Sequence, residues 1–116
     1  MKNYDNLFLP AVDMEESMKF YAETFELPLK FDFSDMGMVA YKVGNEEPAI
    51  ILKDISKFPD FRPTIWFEVE DVKEEYIKLK TKNVPFLSEP FRIKTGWAVE
   101  FLDPSGNRLG ITDYKA

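Results

Sequence analysis

An α+β fold of two tandem β-α-β-β-β modules is predicted by three observations: a tight hairpin, a pair of matching helix caps, and a repeat distance that two anchors share. The hairpin runs from Glu100 to Ile111, with Asp103-Pro104-Ser105-Gly106-Asn107 at its tip. Pro104 suits the first corner of a type I turn, Asp103 can accept hydrogen bonds from the turn, and Gly106 supplies a positive φ. The caps are Asp13 followed by Glu16 and Asp71 followed by Glu74, both with capping-box spacing. Aligning the caps gives an offset of 71 − 13 = 58, and aligning Gly37-Met38 with Gly96-Trp97 gives 96 − 37 = 59. Agreement within one residue marks an internal duplication.

The elements follow in order. Asn6 to Ala11 is a short apolar strand, and Asp13 then caps a helix whose buried stripe is Met14, Met18, Tyr21 and Phe25, with Leu27-Pro28 at its end. Strands are predicted around 29–33, 38–43 and 49–53, separated by Asp35-Met36-Gly37 and by Gly44-Asn45-Glu46-Glu47-Pro48. The segment from Asp54 to Pro63 has two prolines and no sustained period, so it reads as a connector. The pattern then restarts: a strand from Thr64 to Val69, a helix with the stripe Val72, Tyr76 and Leu79, and Val84-Pro85 as its stop. Phe20, Phe25 and Phe67 take positions that bury against a sheet. We read residues 1–116 as one domain, with repeat 1 at about 4–54 and repeat 2 at about 62–114.

Composition sets outer limits. The chain of 116 residues is 45% apolar and 31% charged, ordinary for a globular domain with a core. With no cysteine and no histidine, thiolate chemistry, disulfides and imidazole-based catalysis are unavailable. No signal-peptide pattern and no apolar run of membrane-spanning length occur, so a cytoplasmic location without membrane contact is expected. A formal charge of −6 opposes nucleic acid, whose binding rests on neutralising phosphates.

The hairpin sequence Phe101-Leu102-Asp103-Pro104-Ser105-Gly106-Asn107 resembles the D-P-x-G-N hairpin of the vicinal oxygen chelate superfamily, which includes glyoxalases, bleomycin-resistance proteins, fosfomycin-resistance enzymes and extradiol dioxygenases. The run Leu9-Pro10-Ala11-Val12-Asp13, continuing through Ser17 to Phe20-Tyr21, is similar to that superfamily's first strand and helix. The resemblance implies a curved mixed sheet around a cleft. It places Asn6, Phe8, Val39, Tyr41, Ile51, Lys53, Thr64, Trp66, Glu68, Ala98, Glu100, Gly110 and Thr112 on the cleft face. Leu7, Leu9, Ile50, Leu52, Ile65, Phe67, Val69, Leu109 and Ile111 then face the helices, and that set is uniformly apolar, as the phase requires.

Metal-using members of the superfamily present four ligands, usually His or Glu. Counted from Asp13, Asp71 and Gly106, those positions here are Asn6, Ile51, Thr64 and Gly110, and none is a carboxylate or an imidazole. Zinc, nickel, iron and copper favour imidazole or thiolate, and Glu68 and Glu100 make a poor cage for a hard cation. No metal and no other cofactor is therefore expected.

Two functional classes remain. The first is a metal-free small-molecule-binding protein resembling the bleomycin-resistance branch, which sequesters an aromatic or cationic ligand with Phe8, Tyr41, Trp66, Glu68, Trp97 and Glu100. In it Trp66 is the stacking plate and Trp97 stands at the cleft mouth. The second is a glyoxalase- or lyase-like enzyme with Glu68 or Glu100 as general base, against which stands pairing of these carboxylates with Lys53, Arg92 or Arg108. A homodimer is expected, because family clefts are commonly completed by two chains; the alternative is pairing of both modules within one chain.

Overall fold

The computed structural model describes residues 1–45 and 48–115, so Glu46 and Glu47 of the predicted 44–48 loop lie outside the described residues. The elements are β1 (Asn3–Ala11), α1 (Met14–Lys19), β2 (Leu29–Phe33), β3 (Met38–Lys42), β4 (Ala49–Asp54), β5 (Thr64–Glu68), α2 (Val72–Thr81), β6 (Phe91–Ile93), β7 (Gly96–Leu102) and β8 (Arg108–Thr112). The fold is α+β, with β-α-β-β-β occurring twice. Two compact units contain these elements, residues 6–63 in one and residues 1–5 with 64–115 in the other.

Within the first module the strand order is β2-β3-β4-β1, with β4 parallel to β1 and the other pairs antiparallel. Asp13 caps α1 by accepting the Glu16 N–H at 3.0 Å. Past Lys19 the helix widens into a π turn over Phe20–Thr24, closed by the Phe25 N–H on the Phe20 carbonyl. The wider turn breaks the 3.6-residue period that carried the predicted stripe. Met14, Met18 and Tyr21 still pack on the core, whereas Phe25 is 55% exposed and lies against the exposed Phe20, the rings tilted with centres 4.7 Å apart. Both phenylalanines were expected to be buried; the π turn accounts for Phe25, whereas Phe20 stands off the stripe of Met14, Met18 and Tyr21 even at the ordinary helical period.

The core beneath α1 corrects the phase of β3. Val39 and Tyr41 lie there with Ala11 and Leu52, and the Tyr41 hydroxyl donates to the Met18 carbonyl at 3.2 Å. They were expected on the opposite face. The register gives the reason: Ala40 pairs with Ile51 as Glu100 pairs with Gly110, so β3 and β7 are offset by 100 − 40 = 60 while β4 and β8 are offset by 110 − 51 = 59. Gly37 and Gly96 are therefore not equivalent. One residue of slip reverses every side chain on a strand.

The second module has the order β5-β8-β7-β6, with β5 parallel to β8. Asp71 caps α2 through the Glu74 N–H at 3.0 Å, and the Lys115 ammonium bonds its other oxygen at 3.2 Å. These contacts, the Glu74 N–H first, hold the Asp71 carboxyl below the usual range. Val69, Val72, Val99, Phe101 and Ile111 form the core under α2, with Phe67 and Leu109 packed against them. Of the residues predicted to face helices, Leu7 and Ile65 remain over a third exposed. At the β7–β8 hairpin the Asp103 carboxylate accepts from the Asn107 side chain and from the N–H groups of Asn107 and Ser105 at 2.8–2.9 Å. The turn chemistry read from sequence is what forms.

Candidate functional site

Each module has one sheet face covered by its helix and one face turned away from it. On the second module's helix-free face, alternation along β5, β7 and β8 brings together Thr64, Trp66, Glu68, Ala98, Glu100, Gly110 and Thr112. Trp66 is half-buried and lies flat against Gly110, its neighbour across the parallel ladder. A Cβ at position 110 would stand 2.6 Å from the indole, so glycine is what lets the ring reach the sheet. The plate is thus held by backbone contact on one side.

The carboxylates of this face carry cations of their own. Glu100 lies 3.6 Å from the Arg108 guanidinium and Glu68 lies 3.6 Å from the Lys2 ammonium, which is also 3.3 Å from Glu70. All are partly exposed, so solvent screens each pair and its contribution is small. Hydrogen bonding to Glu70, then the charge of Glu68, raises the Lys2 pKa. Pairing with Arg108 is one of the partnerships anticipated for these glutamates; Lys2 was not.

Trp97 stands on the other face of β7. It packs against the core under α2, with the Lys73 ammonium 3.8 Å and the Arg92 guanidinium 5.4 Å from its ring centre. The expected place at a cleft mouth is therefore corrected: the alternation that puts Ala98 and Glu100 on the helix-free face turns Trp97 to the opposite one. Tyr41, beneath α1, likewise does not share a face with Phe8.

The first module's helix-free face is apolar. Ala40, Ala49 and Ile51 are buried there against Phe8, Phe31 and Met38. The Lys53 ammonium lies over three rings, 4.5 Å from the centre of Phe58, 5.2 Å from Phe61 and 5.4 Å from Phe8. Phe58 and Phe61 were missed, since they sit in a segment read only as a connector; two phenylalanines among prolines were the available signal.

The four positions at which metal-using relatives carry ligands do not suit a metal here. The Asn6 side-chain oxygen accepts the Ala49 N–H at 3.1 Å, Ile51 is buried in an aliphatic cluster, Thr64 is a buried hydroxyl, and Gly110 is covered by an indole. Among the described residues no group of three or more His, Cys, Asp or Glu side chains could hold an ion. No helix among them is long and apolar enough to cross a membrane.

Among the described residues the buried carboxylate is Asp113, which the sequence reading passed over. Its oxygens accept the N–H groups of Val72 at 2.8 Å, Trp97 at 3.0 Å and Lys115 at 3.2 Å. With every acceptor turned to backbone, it fastens α2 to β7 and is not placed for chemistry.

Comparison with known proteins agrees with this architecture. The family described as Glyoxalase/Bleomycin resistance protein/Dioxygenase superfamily matches residues 3–111. The uncharacterized protein YetH of Bacillus subtilis is 44% identical over 46 residues, 40% of this chain and 38% of that protein, so the match spans well under half of the curated relative. Methylmalonyl-CoA epimerase from Mycobacterium tuberculosis superposes with a TM-score of 0.77 at 17% identity, covering 98% of this chain and 89% of its own. A glyoxalase/bleomycin resistance protein/dioxygenase superfamily member from Vibrio splendidus gives 0.69 at 16% identity, over 92% and 95% of the two chains. At such identities the structural likeness speaks for the fold alone, and it is the family match over almost the whole length that assigns the chain to the glyoxalase/bleomycin resistance protein/dioxygenase superfamily.

Proposed function

We propose that this protein binds a small, flat aromatic molecule without a metal, as a cytoplasmic sequestering protein of the bleomycin-resistance type. The observation that carries the reading is Trp66, a half-buried indole backed by Gly110 on the helix-free face of the second module. Backing by the sheet fixes the ring in place before a ligand arrives, so stacking on it carries little conformational cost. Glu68 and Glu100 stand on the same face, each already beside a cation. Stacking is then the larger contribution, and a positive charge on the ligand adds to it only by competing with Lys2 or Arg108. The same pairing disfavours general-base catalysis, because neither carboxylate stands apart from a neutralising partner.

Titration of an aromatic library against a Trp97→Phe background isolates the Trp66 fluorescence. A ligand found this way should lose roughly 1–3 kcal/mol of binding in Trp66→Ala, the range for stacking on an aromatic plate. Unchanged affinity in Trp66→Ala would remove the proposal.

A further inference from the structure

Three phenylalanine rings of the first module surround one point on its helix-free face. Lys53 stands on β4 in alternation with Ala49 and Ile51, and Phe8 is the partner of Ile51 across the parallel ladder. Beyond β4 the chain closes two tight turns in succession: the Lys57 and Phe58 N–H groups donate to the Asp54 carbonyl at 3.0 Å, and the Phe61 N–H donates to the Phe58 carbonyl at 3.1 Å. These turns bring Phe58 and Phe61 to the Lys53 ammonium, which lies 4.5 Å from the ring centre of Phe58, 5.2 Å from Phe61 and 5.4 Å from Phe8. The Phe8 and Phe61 rings are tilted by 55° with centres 6.3 Å apart, so they form two walls of an enclosure. Phe58 is seated on Gly37, where a Cβ would come within 3.0 Å of its ring. All three phenylalanines are half-buried, neither sealed in a core nor loose on the surface.

An enclosure of ring faces is a cation site, because the face is the negative part of an aromatic quadrupole. Its present occupant belongs to the chain itself. A primary ammonium is strongly hydrated, carries three N–H donors that water serves better than ring faces do, and rides on a flexible stem. A quaternary ammonium has no N–H to satisfy and presents its charge through methyl groups that pack on rings. The formal charge of −6 favours the approach of a cation.

We propose that Phe8, Phe58 and Phe61 form an aromatic cage for the quaternary ammonium group of a small ligand, with the Lys53 side chain as a built-in competitor that leaves when the ligand enters. The cage is confined to the first module and needs no stacking on Trp66. Choline is the probe, because it has no ring to place on that indole, and 3,3-dimethylbutan-1-ol is its uncharged isostere. Titrations followed by NMR at constant ionic strength should show choline bound roughly ten-fold or more tightly than the isostere. Lys53→Met keeps an apolar stem and deletes the charge, so it should bind choline on the order of ten-fold more tightly than wild type, the cage being open throughout. A gain of affinity cannot come from an unfolded protein. In the Lys53→Met background, Phe58→Leu and Phe61→Leu should each lose on the order of ten-fold in choline affinity. Choline bound no more tightly than its isostere, a Lys53→Met protein that binds it no more tightly than wild type, or leucine variants with unchanged affinity would each overturn the proposal.

Discussion

Asp54 and Asp113 occupy the same place in the two modules, one residue past the shared pairs of β4 and β8, at an offset of 113 − 54 = 59. The backbone treats them alike: the Asp54 N–H donates to the Gly37 carbonyl and the Asp113 N–H to the Trp97 carbonyl. Their side chains do opposite things. Asp54 turns forward onto its own loop and accepts from the Ser56 N–H and hydroxyl, whereas Asp113 turns inward, is 1% exposed, and joins α2 to β7. The two modules carry the same acid at the same place, and what surrounds each decides whether it is a loop cap or a fastening. Gly96 belongs to the same device, because a Cβ there would meet the Asp113 carboxylate and carbonyl at 2.5 Å.

The sharpest way to break this comparison is to delete both acids. Asp113→Ala leaves the buried N–H groups of Val72 and Trp97 without acceptors, at about 1–3 kcal/mol for each donor, so a loss of roughly 4 kcal/mol is expected in urea unfolding. Asp54→Ala should move the midpoint far less, since water replaces the carboxylate on an exposed loop. Equal losses would show that Asp113 is not the fastening the hydrogen bonds describe.

A second contrast lies at Ile51 and Gly110, again equivalent positions. In the first module the space is filled by a buried aliphatic side chain, and in the second by an indole reaching in from β5. Ile51→Ala should cost about 3 kcal/mol, the middle of the range for emptying such a site. Gly110→Ala should cost about 2 kcal/mol by displacing Trp66 and should also weaken aromatic ligands. If Gly110→Ala changes stability but not ligand affinity, the seating of Trp66 is irrelevant to binding.

Local chemistry was legible in the sequence, and long-range geometry was not. The Asp103 hairpin and the caps at Asp13 and Asp71 rest on contacts within four residues, and all three form as read. The alternation that put Trp66, Glu68 and Glu100 on one face also followed from strand period. Tyr41 was misplaced because Gly37 and Gly96 look alike in sequence yet do different work: Gly37 ends a turn at φ 88°, while Gly96 is the first residue of β7 and clears Asp113. Trp97 was misplaced because it was taken to precede β7, whereas it lies within the strand and alternation sets it opposite Ala98 and Glu100. Phe25 was misplaced because nothing local announces a π turn, and Phe20 because it stands off the stripe of Met14, Met18 and Tyr21. Asp113 escaped notice because its partners lie 41 and 16 residues away.

The smallest expected effect separates the modules at high pH. Burial, with the charge of Asp32 adding to it, raises the Tyr41 phenol above its usual value in the first module. In the second, hydrogen bonds to carboxylates raise the exposed ammoniums of Lys2 and Lys115. For all three the folded value lies above the unfolded one, so the stability they contribute is complete below about pH 10 and is lost as pH rises through the folded values. The chain has no histidine, and between pH 6 and 9 the urea midpoint should be nearly flat. Above pH 10 it should fall. Salt separates the contributions, because the lysine pairs are in solvent and are screened, while the phenol beneath α1 is not. In 0.5 M salt the remaining alkaline slope therefore belongs mainly to Tyr41, and Tyr41→Phe, which keeps the ring and loses only the bond to the Met18 carbonyl, should flatten it. An undiminished slope in that variant would mean that the alkaline limb comes from the second module, and that the burial of Tyr41 under α1 has no titration consequence.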